Sequence, residues 1–167
     1  MQYSQVIVEI GVRRAPSGLQ MSSQNPLILA VDDLAYSGGE MLDLIRLCLE
    51  KVGYPADLQT VPLADVLESA AHLQPAVILI GYRPLLDDHA MRKRWEAAGS
   101  PMGGDIIKAL KSNADTRDIP VLLVEGLVHI KRVAAESGAD GYVRLPCSPT
   151  EIVGAMRALA EREPSAS

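Results

Sequence analysis

The chain has 167 residues, of which 48% are hydrophobic and 22% charged, and its formal net charge is −5. That length fits one domain able to bury an ordinary core unaided, and the acidic balance speaks against nucleic acid as a main partner, since phosphate binding needs a basic face. No apolar run reaches the length of a membrane span and the amino terminus lacks a signal-peptide core, so the expected location is cytoplasmic.

Residues 1–25 read apart from the rest. Positions 5–12 alternate weakly like a strand, and the polar stretch that follows is rich in turn formers. Met21 stands just ahead of the first clear strand as an alternative start. An added edge strand and a disordered leader both remain open. From Pro26 onward strands and helices alternate. The continuous apolar run 27–31 predicts a strand buried on both faces. A helix is expected over 37–52, with Ser37 and Glu40 at capping-box spacing and Gly53 ending it. Cys48 falls on that helix's apolar stripe, whereas Cys147 follows a proline. The two cysteines make no disulfide framework and have no metal-type spacing, so both read as reduced thiols.

A weaker strand at 56–60 precedes a helix at 62–72 opened by Pro62. The run 76–80 predicts the third strand. Residues 82–101 then interrupt the rhythm. A helix at 105–112, a strand at 119–124, a helix at 128–136 and a short strand at 140–143 complete the middle of the chain. The last helix, 148–162, starts on Ser148 as N-cap, Pro149 at the first helical position and Glu151 three residues after the cap. A short tail, 163–167, follows. Strands each followed by a helix imply a doubly wound five-stranded parallel sheet with right-handed crossovers, a flavodoxin-like α/β fold. In such sheets function sits at the carboxyl ends of the strands. Here those ends are Asp32 and Asp33, Gly81, Glu125, and Arg144 with Leu145.

Five segments then resemble the response-regulator receiver family, the CheY-like domains of two-component signalling. Leu27-Ile28-Leu29-Ala30-Val31-Asp32-Asp33 is similar to the first strand and its acidic pair. Gln74-Pro75-Ala76-Val77-Ile78-Leu79-Ile80 resembles the strand that leads to the phospho-acceptor. Met102-Gly103-Gly104 resembles the Met-Asp-Gly opening the third helix, and Thr116-Arg117-Asp118-Ile119-Pro120-Val121 the approach to strand four. Gly138-Ala139-Asp140-Gly141-Tyr142-Val143, followed by Pro146, resembles the final strand and its cis-Pro turn. The resemblance covers residues 26–162.

In that register Asp32 and Asp33 match the pair that helps hold magnesium, a hard cation needing several oxygen ligands. The acceptor aspartate falls on Gly81, the strand-four hydroxyl on Glu125 and the strand-five lysine on Leu145, while the aromatic switch position is kept as Tyr142. Receiver phosphorylation is nucleophilic attack by a carboxylate, helped by a metal and a cation. Gly81 offers no nucleophile, Glu125 sets a negative charge where a phosphoryl group would sit, and Leu145 removes the positive partner. Asp32, Asp33 and Glu125 are left as a residual acidic pocket, read either as a divalent-metal site lacking one protein ligand or, in preference, as carboxylates that are solvated or paired with a nearby cation such as Arg83. No cofactor is required, and any magnesium at Asp32 and Asp33 would be weakly held.

The inserted segment 82–101 has helical character over 86–97. Met91 and Trp95 share a face there, beside Arg92, Lys93 and Arg94. It reads either as a lid or partner-docking segment, or as an insertion packed by its own tryptophan. The resulting expectation is a stand-alone atypical receiver, not an enzyme, that works by protein–protein interaction without phosphorylation at the usual site. Its partner would be a signalling kinase, an output protein or a second copy. In receivers such contacts use helix four, strand five and helix five, which points to Ile130, Val133 and Arg144 together with Met91 and Trp95; neither nucleic acid nor membrane is expected as a partner. Two rivals stand: a phosphorylatable receiver using Asp87, Asp88 or Asp33, and a small flavodoxin-like enzyme. Against the enzyme are the lack of a Gly-rich phosphate loop after strand one and of any Ser/Cys–His pairing.

Overall fold

The structure, a computed structural model, describes residues 25–32, 40–81, 103–126 and 129–162. The leader 1–24, the insertion 82–101, the Ser37 cap and the tail 163–167 lie outside the described residues. Within them the strands are β1 (Leu27–Asp32), β2 (Asp57–Pro62), β3 (Val77–Ile80), β4 (Val121–Glu125) and β5 (Gly141–Arg144). The helices are α1 (Glu40–Val52), α2 (Val66–Leu73), α3 (Gly103–Ser112), α4 (Ile130–Ser137) and α5 (Pro149–Ala160). All strands run parallel in the order β2-β1-β3-β4-β5, the doubly wound sheet that the alternation implied.

Alternation along the strands sorts their side chains into two cores. Ile28, Ala30, Val77, Leu79, Leu122, Val124 and Val143 pack with α1 and α5 on one face. Leu29, Ile78, Ile80, Val121 and Leu123 pack with α2, α3 and α4 on the other. Both faces are covered, so β3 and β4 read as unbroken apolar runs without a polar side. Cys48 is buried and Cys147 half-buried in the α1/α5 core, both as free thiols. Among the described residues no helix is long and apolar enough to cross a membrane.

Pro62 is the main departure from the expected elements. It closes β2 instead of opening a helix, and a 3₁₀ turn (Leu63–Asp65) leads into α2. Its φ of −60° and ψ of 151° suit an extended residue, and β2 is an edge strand, where a missing N–H is tolerated. Asp57 opens β2 at the amino edge of the sheet and is exposed. The α5 cap forms as read: Ser148 Oγ accepts from Glu151 N–H at 3.2 Å and Glu151 Oε2 accepts from Ser148 N–H at 2.6 Å. Gly138 ends α4 with φ 84°, a left-handed position that favours glycine. The Leu145–Pro146 peptide is cis, as the resemblance implied.

At the amino edge of the sheet, Asp140 ties four elements together. Its Oδ2 accepts from Val121 N–H at 2.8 Å and meets Lys111 Nζ at 2.5 Å, while its Oδ1 faces Arg162 Nη1 at 3.4 Å. Lys111 Nζ also donates to Ile119 O at 2.8 Å and Arg117 O at 3.2 Å. One carboxylate thus holds the start of β4 and the approach to β5 against the end of α3, with Arg162, just past α5, at its other oxygen. Asp140→Asn removes the charge but keeps the shape, and should lower the unfolding free energy by about 2 kcal/mol, read as a fall in the urea midpoint at unchanged slope.

Candidate functional site at the carboxyl edge of the sheet

Parallel strands deliver their carboxyl ends to one edge, and the strand order reverses between β1 and β3, where such sheets open a crevice. Asp32 closes β1 opposite Pro62 of β2. Gly81 follows β3, Glu125 closes β4 with Gly126 after it, and Arg144 closes β5 before Leu145. The structure therefore brings Gly81, Glu125 and Leu145 to one edge with the end of β1. Asp33, Asp87, Asp88, Met91 and Trp95 lie outside the described residues, and among the described residues no cluster of three or more His, Cys, Asp or Glu could hold a metal.

Glu125 is the unusual member of this edge. It is only 9% exposed, yet no lysine, arginine or histidine among the described residues pairs with it. A Cβ built at Gly81 would lie 3.6 Å from Glu125 Oε2 and 3.7 Å from Val124 O. The carboxylate thus flanks the very space into which a side chain at 81 would project. Burial pushes the Glu125 carboxyl up to about 7, against a smaller opposing pull from the Gly126 N–H. Arg144 sits opposite Glu125 in the register and is half-buried, but no ion pair joins them.

The other assigned positions divide. Leu145 is half-buried and packs against the α1/α5 core, so its side chain serves the interior; its backbone N–H donates to Glu125 O at 2.9 Å. Tyr142 pairs with Leu123 in the register and packs on the α2–α4 core. Val133 is half-buried and packs there too. Ile130 is 2% exposed, which corrects its assignment as a surface contact: the residue opens α4 with its side chain turned into the core. The small residue after Glu125 is Gly126. Its N–H acts on the carboxylate beside it, a contact that the spacing of the sequence does not show.

No family model matches the chain. A curated relative, the phosphate regulon transcriptional regulatory protein PhoB of Pseudomonas aeruginosa, is 29% identical over 140 residues, covering 81% of this chain and 52% of that protein. The chain thus spans about half the length of the relative. Among solved structures, a response regulator from Chloroflexus aurantiacus superposes with a TM-score of 0.64 at 19% identity, over 83% of this chain and 100% of the other. The chain has the CheY-like receiver fold. The receiver domain of a sensor histidine kinase from Pseudomonas aeruginosa superposes on it with a TM-score of 0.60 at 15% identity, over 83% of this chain and 100% of that one. That domain has a magnesium ion coordinated in its active-site cleft.

In this receiver fold the raised Glu125 carboxyl has a consequence for stability. Unfolded, the group titrates near its ordinary 4.5; folded, near 7. Below 4.5 both states are protonated and no penalty applies; between 4.5 and 7 the unfolded chain releases the proton while the folded chain keeps it, so stability falls with rising pH and the loss is complete above 7, at about 3 kcal/mol. Glu125→Gln escapes this loss. The difference in unfolding free energy between variant and parent should move by about 3 kcal/mol in the variant's favour from pH 4 to pH 8, measured by urea denaturation. A flat difference would place a cation on the carboxylate.

Proposed function

We propose that the chain is an atypical receiver of two-component signalling that acts by protein–protein interaction, without phosphorylation at the usual position, and is not itself an enzyme. The observation that carries this reading is the pairing of Gly81 with Glu125. The residue in the acceptor position has no side chain, and the buried carboxylate of its neighbour lies 3.6 Å from where a Cβ would start. A phosphoryl group brought there would face a negative charge, and the strand-five position that should answer it is Leu145, packed into the core.

Any magnesium would have to rest on Asp32 and Asp33, with no acceptor carboxylate to complete the ligand set, so the reading requires no cofactor. The partner is a protein: a signalling kinase, an output protein or a second copy, engaged through the face of α4, β5 and α5 that carries Val133 and Arg144. Met91 and Trp95 of the inserted segment belong to the same proposal. The cytoplasm is the compartment that fits such partners.

The test is exposure to a small-molecule phosphodonor in magnesium, followed by intact-mass measurement. No adduct is expected on the parent chain, nor on Gly81→Asp alone, because the new carboxylate would lie against Glu125 with Leu145 where a lysine is needed. The combined change Gly81→Asp, Glu125→Thr and Leu145→Lys restores nucleophile, hydroxyl and cation together, and should gain one phosphoryl group per chain. A stoichiometric adduct on the parent that vanishes on substituting Asp33, Asp87 or Asp88 would overturn the proposal in favour of a phosphorylatable receiver.

A further inference from the structure

Burial sorts α1 into an inner and an outer face. Ile45, Cys48 and Leu49 are buried in the α1/α5 core, and Gly53 closes the helix at φ 72° with its N–H donating to Leu49 O at 2.9 Å. The outer face carries Leu44 and Leu47 together with Asp43, Arg46, Glu50 and Lys51, all exposed. Among the described residues the large apolar side chains left exposed are Leu44 at 43%, Leu47 at 59% and Val52 at 41%, and all three belong to this one helix. Leu44 and Leu47 are three residues apart and adjoin on the surface, with Lys51 one turn further along the same stripe. Val52, at the helix end, lies on another side. Single exposed leucines are ordinary, whereas neighbouring ones on a helix fixed by its inner face form a surface that gains by being covered.

The charges around those leucines indicate what would cover them. Asp43 and Glu50 balance Arg46 and Lys51, so the face has no excess of cations to hold it on an anionic membrane. Asp43 meets Arg46 at 3.4 Å with both side chains largely exposed, a surface pair of little strength. Asp43 and Lys51 stand four residues to either side of Leu47, about 6 Å along the axis in each direction. Two copies of α1 laid parallel would set each charge level with its own kind. Laid antiparallel about a two-fold axis at Leu47, they bring Lys51 of one copy level with Asp43 of the other. The Lys51 stem then lies along Leu44 of the second copy, and Leu47 meets Leu47 at the centre. Such a contact uses the same patch on both subunits, as a closed two-fold dimer requires. We propose that the outer face of α1 is a self-association surface that receives a second copy of this chain, antiparallel and centred on Leu47. A helix of 13 residues makes a small interface, below the roughly 1,200 Å² of total buried surface typical of stable complexes, so the dimer is transient and follows local concentration. The surface is independent of what occupies the acceptor position, and it lies on a different element from the face of α4, β5 and α5.

The experiment is sedimentation velocity on the full chain from about 10 μM to about 1 mM, the range in which a weak contact of this kind populates. The expected result is a reversible monomer–dimer equilibrium. Leu47→Lys sets two ammonium groups face to face on the two-fold axis and should raise the dimer Kd roughly ten-fold or more. Lys51→Glu faces Asp43 with a like charge and should also weaken the dimer. Both positions are exposed, so thermal unfolding of the variants should match the parent. Register is read with Leu47→Cys under oxidised glutathione: two chain thiols reduce one glutathione disulfide to two glutathiones and join the copies through residue 47. Arg46→Cys, one position round the helix, should not cross-link, and the parent chain controls for Cys48 and Cys147. A chain that stays monomeric throughout overturns the proposal, whether the face is idle or covered by another part of the same chain. Association that survives Leu47→Lys overturns it, as does equal cross-linking at 46 and 47. Loss of the dimer in Arg144→Glu but not in Leu47→Lys would move the second copy to the face of α4, β5 and α5, and overturns this surface too.

Discussion

Burial of β4 is the constraint on which the remainder of the domain depends. Each residue from Val121 to Glu125 is buried; the strand has a parallel partner on either side and helices over both faces. Side chains alternate strictly along a strand, so a slip of one residue would exchange the two cores. Val121 and Leu123 belong to one core and Leu122 and Val124 to the other. That choice fixes where the strand ends, and with it where Glu125 points. The site at the carboxyl edge is therefore a consequence of packing in the middle of the sheet.

A strand so enclosed can carry charge only at its two ends, and β4 treats them in opposite ways. At its start a carboxylate from Asp140 is met by Lys111, Arg162 and the Val121 N–H. Those partners convert it into a clamp between elements. At its finish the Glu125 carboxylate has the Gly126 N–H and no cation among the described residues, so burial dominates and raises its carboxyl to about 7. The same functional group makes architecture at one edge and a tension at the other. Tension retained at the edge where such sheets bind ligands is the pattern expected of a functional site.

Much of this was legible in the sequence. Apolar runs of strand length, interrupted by capped helices, specified the parallel sheet and its order of elements, and the Ser148, Pro149 and Glu151 spacing specified a cap that forms in detail. Pro62 misled because proline at the first turn of a helix and proline at the end of an edge strand satisfy the same local rules; the decision came from Val61, whose burial extends β2. Ile130 misled for a related reason. Its place near a surface used by receivers said nothing of which way its side chain turns, and the first residue of a short helix here faces inward. The depth of Glu125 was not legible at all, since exposure of a strand-end residue depends on helices distant in sequence.

The three substituted positions make more sense together than apart. In the register that the resemblance supplies, glycine at 81 removes a negative charge, leucine at 145 removes a positive one, and glutamate at 125 adds a negative one. Loss of function alone would leave such a site neutral or filled. Among the described residues the outcome is a buried carboxylate set beside two glycines. The position of that carboxylate also matters for output. The backbone carbonyl of Glu125 accepts a hydrogen bond from Leu145 N–H at 2.9 Å and the residue stands opposite Arg144, so the end of β4 is tied to the end of β5 through the main chain.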